Sequence, residues 1–235
     1  MKERPSQAPA ILPVPRTKEE AKRFYDRISR VYGYLSALER KYAEMALERL
    51  SMEEGETVLE IGFGSGHCLK RMAESVGKTG KAYGTDISSG MLEVTRKRLD
   101  KAGLIDRVEL YCGDALSLPY GDNSFDAVFM SFTLELFNTP EIPKLLEEAK
   151  RVLKPGGRLG VVSMSKENGD SLPVRLYEWA HMKWPKYLDC RPIFVEQCIR
   201  DAGYQIRRRG KARLFGLLPS EIVLAVKTLL SGQNT

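Results

Sequence analysis

Gly62, Gly64 and Gly66 alternate directly after the apolar run Val58, Leu59 and Ile61, with Glu60 set inside that run. A buried strand that ends in an acid and alternating glycines can turn sharply and bring bare backbone against a ligand. The helix that should follow, from Gly66 to Val76, points its N-terminus into the same crevice. Two further carboxylates close predicted strands. Asp86 ends Lys81–Asp86, about 24 residues beyond Gly62, and Asp114 lies in Cys112-Gly113-Asp114-Ala115 after Val108–Tyr111. Open α/β sheets bind ligands at the carboxyl ends of their strands, and an acid about 20 residues past the glycines meets ribose hydroxyls. The pattern is that of a nucleoside-cofactor site.

The spacing also bears on which nucleoside. A dinucleotide fingerprint reads G-x-G-x-x-G/A, with a small third residue beside the pyrophosphate. Here the third glycine comes one position early and the position that should be small holds His67. Glu60 would repel a pyrophosphate but suits a cationic amino-acid group or a ribose hydroxyl. These residues favour S-adenosylmethionine over NAD, whereas Asp86 fits either, and Asp114 after glycine is also common turn chemistry.

The elements that position these residues alternate as in a doubly wound sheet. Thr17-Lys-Glu-Glu20 forms a capping box that opens a helix in which Phe24, Ile28, Val31 and Tyr32 share a face, and a second helix spans Ser36–Leu50. Helix 88–103 precedes strand 107–111, strand 125–132 precedes helix 140–153, and Lys154-Pro155-Gly156-Gly157 stops that helix before strand 157–164. Residues 165–191 break the pattern as a mixed aromatic and basic insertion carrying Trp179, His181 and Trp184. Helix 192–202 and strands 204–211 and 221–228 complete the chain. Residues 1–16, with Pro5, Pro9, Pro13 and Pro15, read as a mobile or extended tail, and residues 17–235 as one domain.

Five ordered motifs carry a family resemblance. Glu60-Ile-Gly-Phe-Gly-Ser-Gly66, Gly84-Thr-Asp-Ile-Ser88 with Met91-Leu92, Gly113-Asp-Ala115, Leu118-Pro-Tyr-Gly-Asp-Asn-Ser-Phe-Asp126 and Arg151-Val-Leu-Lys-Pro-Gly-Gly-Arg158 resemble the class I S-adenosylmethionine-dependent methyltransferases. Within that superfamily they look like the ubiquinone/menaquinone-biosynthesis C-methyltransferases and their relatives. The resemblance implies a Rossmann-like α/β sheet of strand order 3-2-1-4-5-7-6, with an antiparallel last strand and an N-terminal helical lid over residues 17–50. It implies that Glu60, Gly62, Gly64 and Gly66 line the methionine side of the cofactor and that Asp86 binds the ribose. It implies too that Ile87 and Met91 flank the adenine, that Asp114 and Ala115 meet its edge, and that Ser131 closes the site. After strand four the quinone-forming relatives tend to read Ser-Phe-Gly-Leu-Arg-Asn, where this chain has Ser131-Phe132-Thr133-Leu134-Glu135-Leu136. Glu135 removes a cation that would stabilise an anionic quinol and offers a carboxylate that could hold an amine or accept a proton.

The expected reaction is methyl transfer to a small-molecule acceptor, either a lipophilic quinol or lipid, or a polar amine. A nicotinamide oxidoreductase and a non-catalytic S-adenosylmethionine-binding regulator are the alternatives from other classes. No side chain is assigned as catalytic; His67 reads as structural or cofactor-side and His181 as an exposed residue of an amphipathic helix. With 235 residues, 43% hydrophobic and 29% charged, the chain can bury one sizeable core, and no apolar run reaches the length of a bilayer span. Cys68, Cys112, Cys190 and Cys198 lack paired spacing, which suggests reduced thiols, a cytoplasmic location and no metal site. The net charge of +6 is mostly dispersed among acidic neighbours, which argues against nucleic acid. One dense cluster, Arg207, Arg208, Arg209, Lys211 and Arg213 before Leu214, Phe215, Leu217 and Leu218, reads as a solvated hairpin or a peripheral membrane contact.

Overall fold

The computed structural model describes residues 11–167, 171–184, 188, 190–214 and 216–228. Seven strands form one sheet of order β3-β2-β1-β4-β5-β7-β6. These are β1 Thr57–Ile61, β2 Lys81–Asp86, β3 Val108–Cys112, β4 Phe125–Ser131, β5 Leu153–Met164, β6 Tyr204–Leu214 and β7 Leu218–Lys227. All pairings from β3 to β5 are parallel, and β7 runs antiparallel to both β5 and β6. This is the strand order that the motifs implied.

Both faces of the sheet are covered, so the central strands are apolar at nearly every position. Alternation sends Val58, Ala127, Phe129 and Val162 to one face, where they pack with α2 Arg40–Leu50, α3 His67–Ser75 and α4 Ser89–Lys101. Leu59, Ile61, Val128, Met130 and Val161 turn to the other face, under α5 Ile142–Val152 and α7 Val195–Asp201. Glu60, between Leu59 and Ile61, is therefore directed beneath α3 and is buried there.

Helix α1 Lys18–Leu35 begins at the expected capping box: Thr17 accepts from the Glu20 amide and the Glu20 side chain accepts from the Thr17 amide. Its packed face is rotated from the one read in the sequence. Val31 is 52% exposed, whereas Ser29 is buried and Tyr25 and Tyr32 pack on the core. The second expected helix divides into a short 3-10 turn Ser36–Leu38 and α2.

Other boundaries also move. β5 begins at Leu153, which pairs with Phe125; the register then shifts and Arg158 pairs with Ala127, so the proline-glycine stop lies within the strand's irregular start. β6 and β7 extend to 214 and from 218, because the basic run lies along an edge strand, where outward charges are tolerated. Residues 172–183 of the expected insertion form a regular helix, α6, with Pro173 near its N-terminus, where the missing amide costs nothing. Pro5, Pro9, Pro185, Tyr187 and Phe215 lie outside the described residues. Ile11–Arg16 has no helix or strand and is tied down: the Val14 amide donates to Asn138 Oδ1 (3.2 Å), and Arg191 Nη1 donates to the Leu12 carbonyl (2.7 Å).

Candidate cofactor and acceptor site

The glycine run forms a loop that only glycines satisfy without strain. Gly62, Gly64 and Gly66 hold φ of +77°, +49° and +74°. A Cβ on Gly62 would come within 2.6 Å of Thr133 Cγ2, and one on Gly66 within 2.5 Å of Thr95 Cγ2. The loop is held from outside by Gly62 N–H to the Thr85 carbonyl (2.7 Å) and by Thr95 Oγ1–H to the Gly64 carbonyl (2.9 Å). Asp86 closes it: Oδ2 accepts from the Gly64 amide and Oδ1 from the Ser88 amide, both at 2.9 Å.

Eight of the residues singled out from the sequence line a single cavity beyond the carboxyl ends of the strands: Gly62, Gly64, Asp86, Ile87, Met91, Asp114, Ala115 and Ser131. Glu60 and Gly66 do not. Glu60 lines a smaller adjoining cavity with Gly62, Gly64, Ser65 and Ser131, and Gly66 is the N-cap of α3. Tyr32 borders both cavities, its ring 3.1 Å from where a Gly64 Cβ would be.

The site gathers carboxyl groups whose burial disfavours their charged forms. Burial, and then the charge of Asp86, push Glu60 well above the ordinary carboxylate range. Its Oε2 is buried with no hydrogen-bond partner. Burial raises Asp86 to about 6 against the pull of the Ser88 and Gly64 amides, and neighbouring Asp26 raises it further. A buried carboxylate oxygen without a donor, next to the carboxylate of Asp86, matches a cationic ammonium group and would reject a pyrophosphate.

Helix α1 is fastened across the cavity at two points. Lys18 Nζ reaches Asp114 Oδ2 (2.8 Å) after β3 and Glu141 Oε1 (3.1 Å) before α5. Asp26 Oδ1 accepts from Ser88 Oγ (2.7 Å) and the Gly90 amide (2.9 Å), so α1 supplies an extra cap to α4. Ala21 and Tyr25 between these points, and Tyr32 beyond them, wall the cavity, and Tyr25 and Tyr32 meet edge to face at 5.8 Å. Such a part-exposed lysine bridge contributes at most about 1 kcal/mol. Lys18→Met is accordingly expected to leave the melting temperature nearly unchanged while amide exchange in the first turns of α1 speeds up by up to about fivefold, read by hydrogen-exchange mass spectrometry.

Sequence reasoning missed Lys18, Thr133, Phe137, Asn138 and Glu141, which also line the cavity. Only the capping box hinted at where α1 begins; the rest are brought in by tertiary contacts. Two readings are corrected. Glu135 is fully buried behind the 3-10 turn Leu134–Leu136, where Oε1 accepts from the Met164 amide (3.1 Å), and it does not line the cavity. It is not offered to an amine. His181 is also fully buried, with Nδ1 2.6 Å from the Leu188 carbonyl, because the helix that carries it turns this side inward. His67 pairs with Glu44 of α2 (3.0 Å), away from the main cavity.

Residues 58–157 match the family model of a methyltransferase domain. The chain is similar to the 2-phytyl-1,4-naphtoquinone methyltransferase of Nostoc punctiforme, with 34% identity over 158 residues that cover 65% of this chain and 68% of that protein. It is similar also to the demethylmenaquinone methyltransferase of Listeria welshimeri, with 37% identity over 144 residues, 61% of this chain and 59% of that protein. The chain thus spans about two thirds or less of the length of the curated relatives it matches, 59% to 68% of each. Among solved structures, a SAM dependent methyltransferase from Aquifex aeolicus superposes with a TM-score of 0.65 and 29% identity over 86% of this chain and 98% of that one. With the sheet order, the glycine loop and these likenesses together, the chain belongs to the class I S-adenosylmethionine-dependent methyltransferases, whose cofactor is S-adenosylmethionine.

Proposed function

We propose that this protein moves the methyl group of S-adenosylmethionine to a small lipophilic acceptor of the quinol class. The observation that carries the reading is the make-up of the cavity beside the glycine loop: Val14, Ala21, Tyr25, Phe132, Leu136 and Phe137 supply an apolar wall, and neither histidine nor cysteine is among its lining residues. Such a wall suits a lipophilic acceptor held in an enclosed place, and the lining carboxylates are what could take up the proton that methylation displaces. The relatives' names, a phytyl naphthoquinone and a demethylmenaquinone methyltransferase, support the same acceptor class.

In this reading Glu60 Oε2 accepts from the cofactor's ammonium group while Gly62, Gly64 and Gly66 leave room for its methionine arm. Asp86 would accept from the ribose hydroxyls, Ile87 and Met91 would flank the adenine, Asp114 and Ala115 would meet its edge, and Ser131 would close the site. The bound cofactor supplies an electrophilic methyl on a sulfonium. The chain's own contribution is alignment and the exclusion of water by Tyr25, Tyr32 and the rest of α1, which favours a step in which charge disperses.

Trideuteromethyl-labelled S-adenosylmethionine incubated with the protein and a whole-cell extract, followed by mass spectrometry of both phases, tests the acceptor class. Label in the organic phase is the expected result; label confined to the aqueous phase overturns the quinol reading.

The carboxylates add a pH signature. Ribose hydroxyls and an ammonium both prefer ionised partners, so binding lowers the pKa of Asp86 from about 6 and releases its proton at lower pH. As Asp86 takes up its proton below about pH 6, affinity is expected to fall by as much as about tenfold per pH unit, and Glu60, whose carboxyl is likewise pushed up by burial, adds its own loss as the pH falls. Titration calorimetry between neutral and mildly acidic pH reads that slope, and Asp86→Asn should make it shallower by removing the Asp86 share.

A further inference from the structure

Helix α6, Leu172–Lys183, turns large apolar side chains outward. Val174 and His181 are fully buried on its inner side, whereas Leu172, Leu176 and Trp179 are 78%, 62% and 53% exposed. At 3.6 residues per turn those three and Lys183 fall on one stripe, opposite the buried pair. Lys183 Nζ stands 4.9 Å and 5.0 Å from the ring centres of Trp179 and Trp184, which meet edge to face at 5.5 Å. Isolated exposed leucines need no explanation, but a contiguous patch of this kind marks a contact surface.

We propose that this stripe docks the protein on an anionic lipid bilayer. Three observations select a membrane over another occupant. The exposed charged residues of α6, Arg175 and Lys183, are both basic, while its one acid, Glu178, is tied to the buried Lys166 at 2.7 Å. Paired tryptophans next to a lysine match the headgroup level of a bilayer, where their rings and a cation are each favoured. The third is position. β5 leaves the sheet at Met164 towards α6, and β6, parallel to β5, ends at Leu214 in the turn to β7. The outward Leu217 and the exposed Arg213 of that turn thus lie at the same carboxyl rim as the ligand cavity. A membrane touching α6 and the hairpin tip lies at the end of the sheet where a lipophilic acceptor must enter. No described helix is long and apolar enough to cross the bilayer, so the contact is peripheral.

The chain's own two tryptophans, both at this surface, provide the probe. Full-length protein is titrated with phosphatidylcholine vesicles with and without phosphatidylglycerol, and with vesicles carrying a nitroxide on a shallow acyl position. Expected are a blue shift and nitroxide quenching of the tryptophan emission with anionic vesicles, and flotation of the protein with them. Leu176→Glu should abolish both while S-adenosylmethionine affinity and melting temperature stay as in the parent protein. Arg175→Ala or Lys183→Ala should each weaken partition about fivefold. Emission unmoved by either vesicle overturns the proposal. So does a dimer in sedimentation equilibrium that Leu176→Glu dissociates without any change in vesicle binding, which would assign the stripe to a second copy of the chain. Vesicle binding is read without an acceptor, so its failure leaves the proposed methyl transfer untouched, and the converse holds.

Discussion

Asp86→Ala is expected to weaken S-adenosylmethionine binding about a hundredfold, near 3 kcal/mol. Two effects add. The carboxylate that would accept the ribose hydroxyls is lost, and charge-assisted bonds of that kind contribute about 1.5 to 3 kcal/mol each. The same carboxylate also holds the glycine loop, because Gly64 N–H and Ser88 N–H both donate to it at 2.9 Å. Asp86→Asn separates the two. It keeps one carbonyl acceptor but turns an amide group towards a backbone N–H, so it should lose the Asp86 share of the pH slope and much of the affinity while retaining more of the loop. Equilibrium dialysis with labelled cofactor, beside a thermal melt, reads both changes. Affinity that matches the parent protein in Asp86→Ala would refute the ribose role.

What the sequence disclosed about this site follows from how local each signal is. Alternating glycines, and acids at strand ends, are written within a few residues, and the parallel sheet then brings Gly62, Asp86, Asp114 and Ser131 to one cavity without further information. The order of the sheet came instead from the family resemblance that those motifs carry, and the observed order agrees with it. Lys18, Tyr32 and Thr133 carry no such mark. They reach the cavity because α1 folds back over α4 and because the chain turns sharply after β4, where Phe132 takes φ of +50°. Glu135 and His181 were misread because charged and titratable side chains are ordinarily exposed. Here a strand amide and a loop carbonyl give them partners inside. The face of α6 was hidden for the opposite reason: periodicity locates an apolar stripe without saying that it faces solvent.

The position of Thr133 leads to the other large effect. Gly62→Ala is expected to destabilise the protein by about 3 kcal/mol and to abolish cofactor binding. An L-residue held at φ of +77° costs about 1 to 2 kcal/mol. A new methyl within 2.6 Å of Thr133 Cγ2 and 3.1 Å of its Cβ adds a similar amount by overpacking, since that side chain is itself buried and fixed by its bond to the Ser131 carbonyl (3.1 Å). Thr133→Gly in the same chain removes the overlap and leaves the φ cost, so the double variant should be more stable than the sum of the two single losses. The coupling in such a cycle is then about 1 to 2 kcal/mol, well above the few tenths expected of independent sites. Chemical denaturation of the four proteins measures it. Strict additivity would mean that φ alone demands a glycine at this position. Strong coupling would mean that Thr133 and Gly62 form one fitted contact, in which a side chain from the turn after β4 sets how much room lies over the first glycine. The resemblance to the quinone-forming family places glycine at the position of Thr133, and a glycine there would leave more room. Thr133→Gly alone should therefore test whether this side chain narrows the range of acceptors, by comparing turnover on bulky and small quinols.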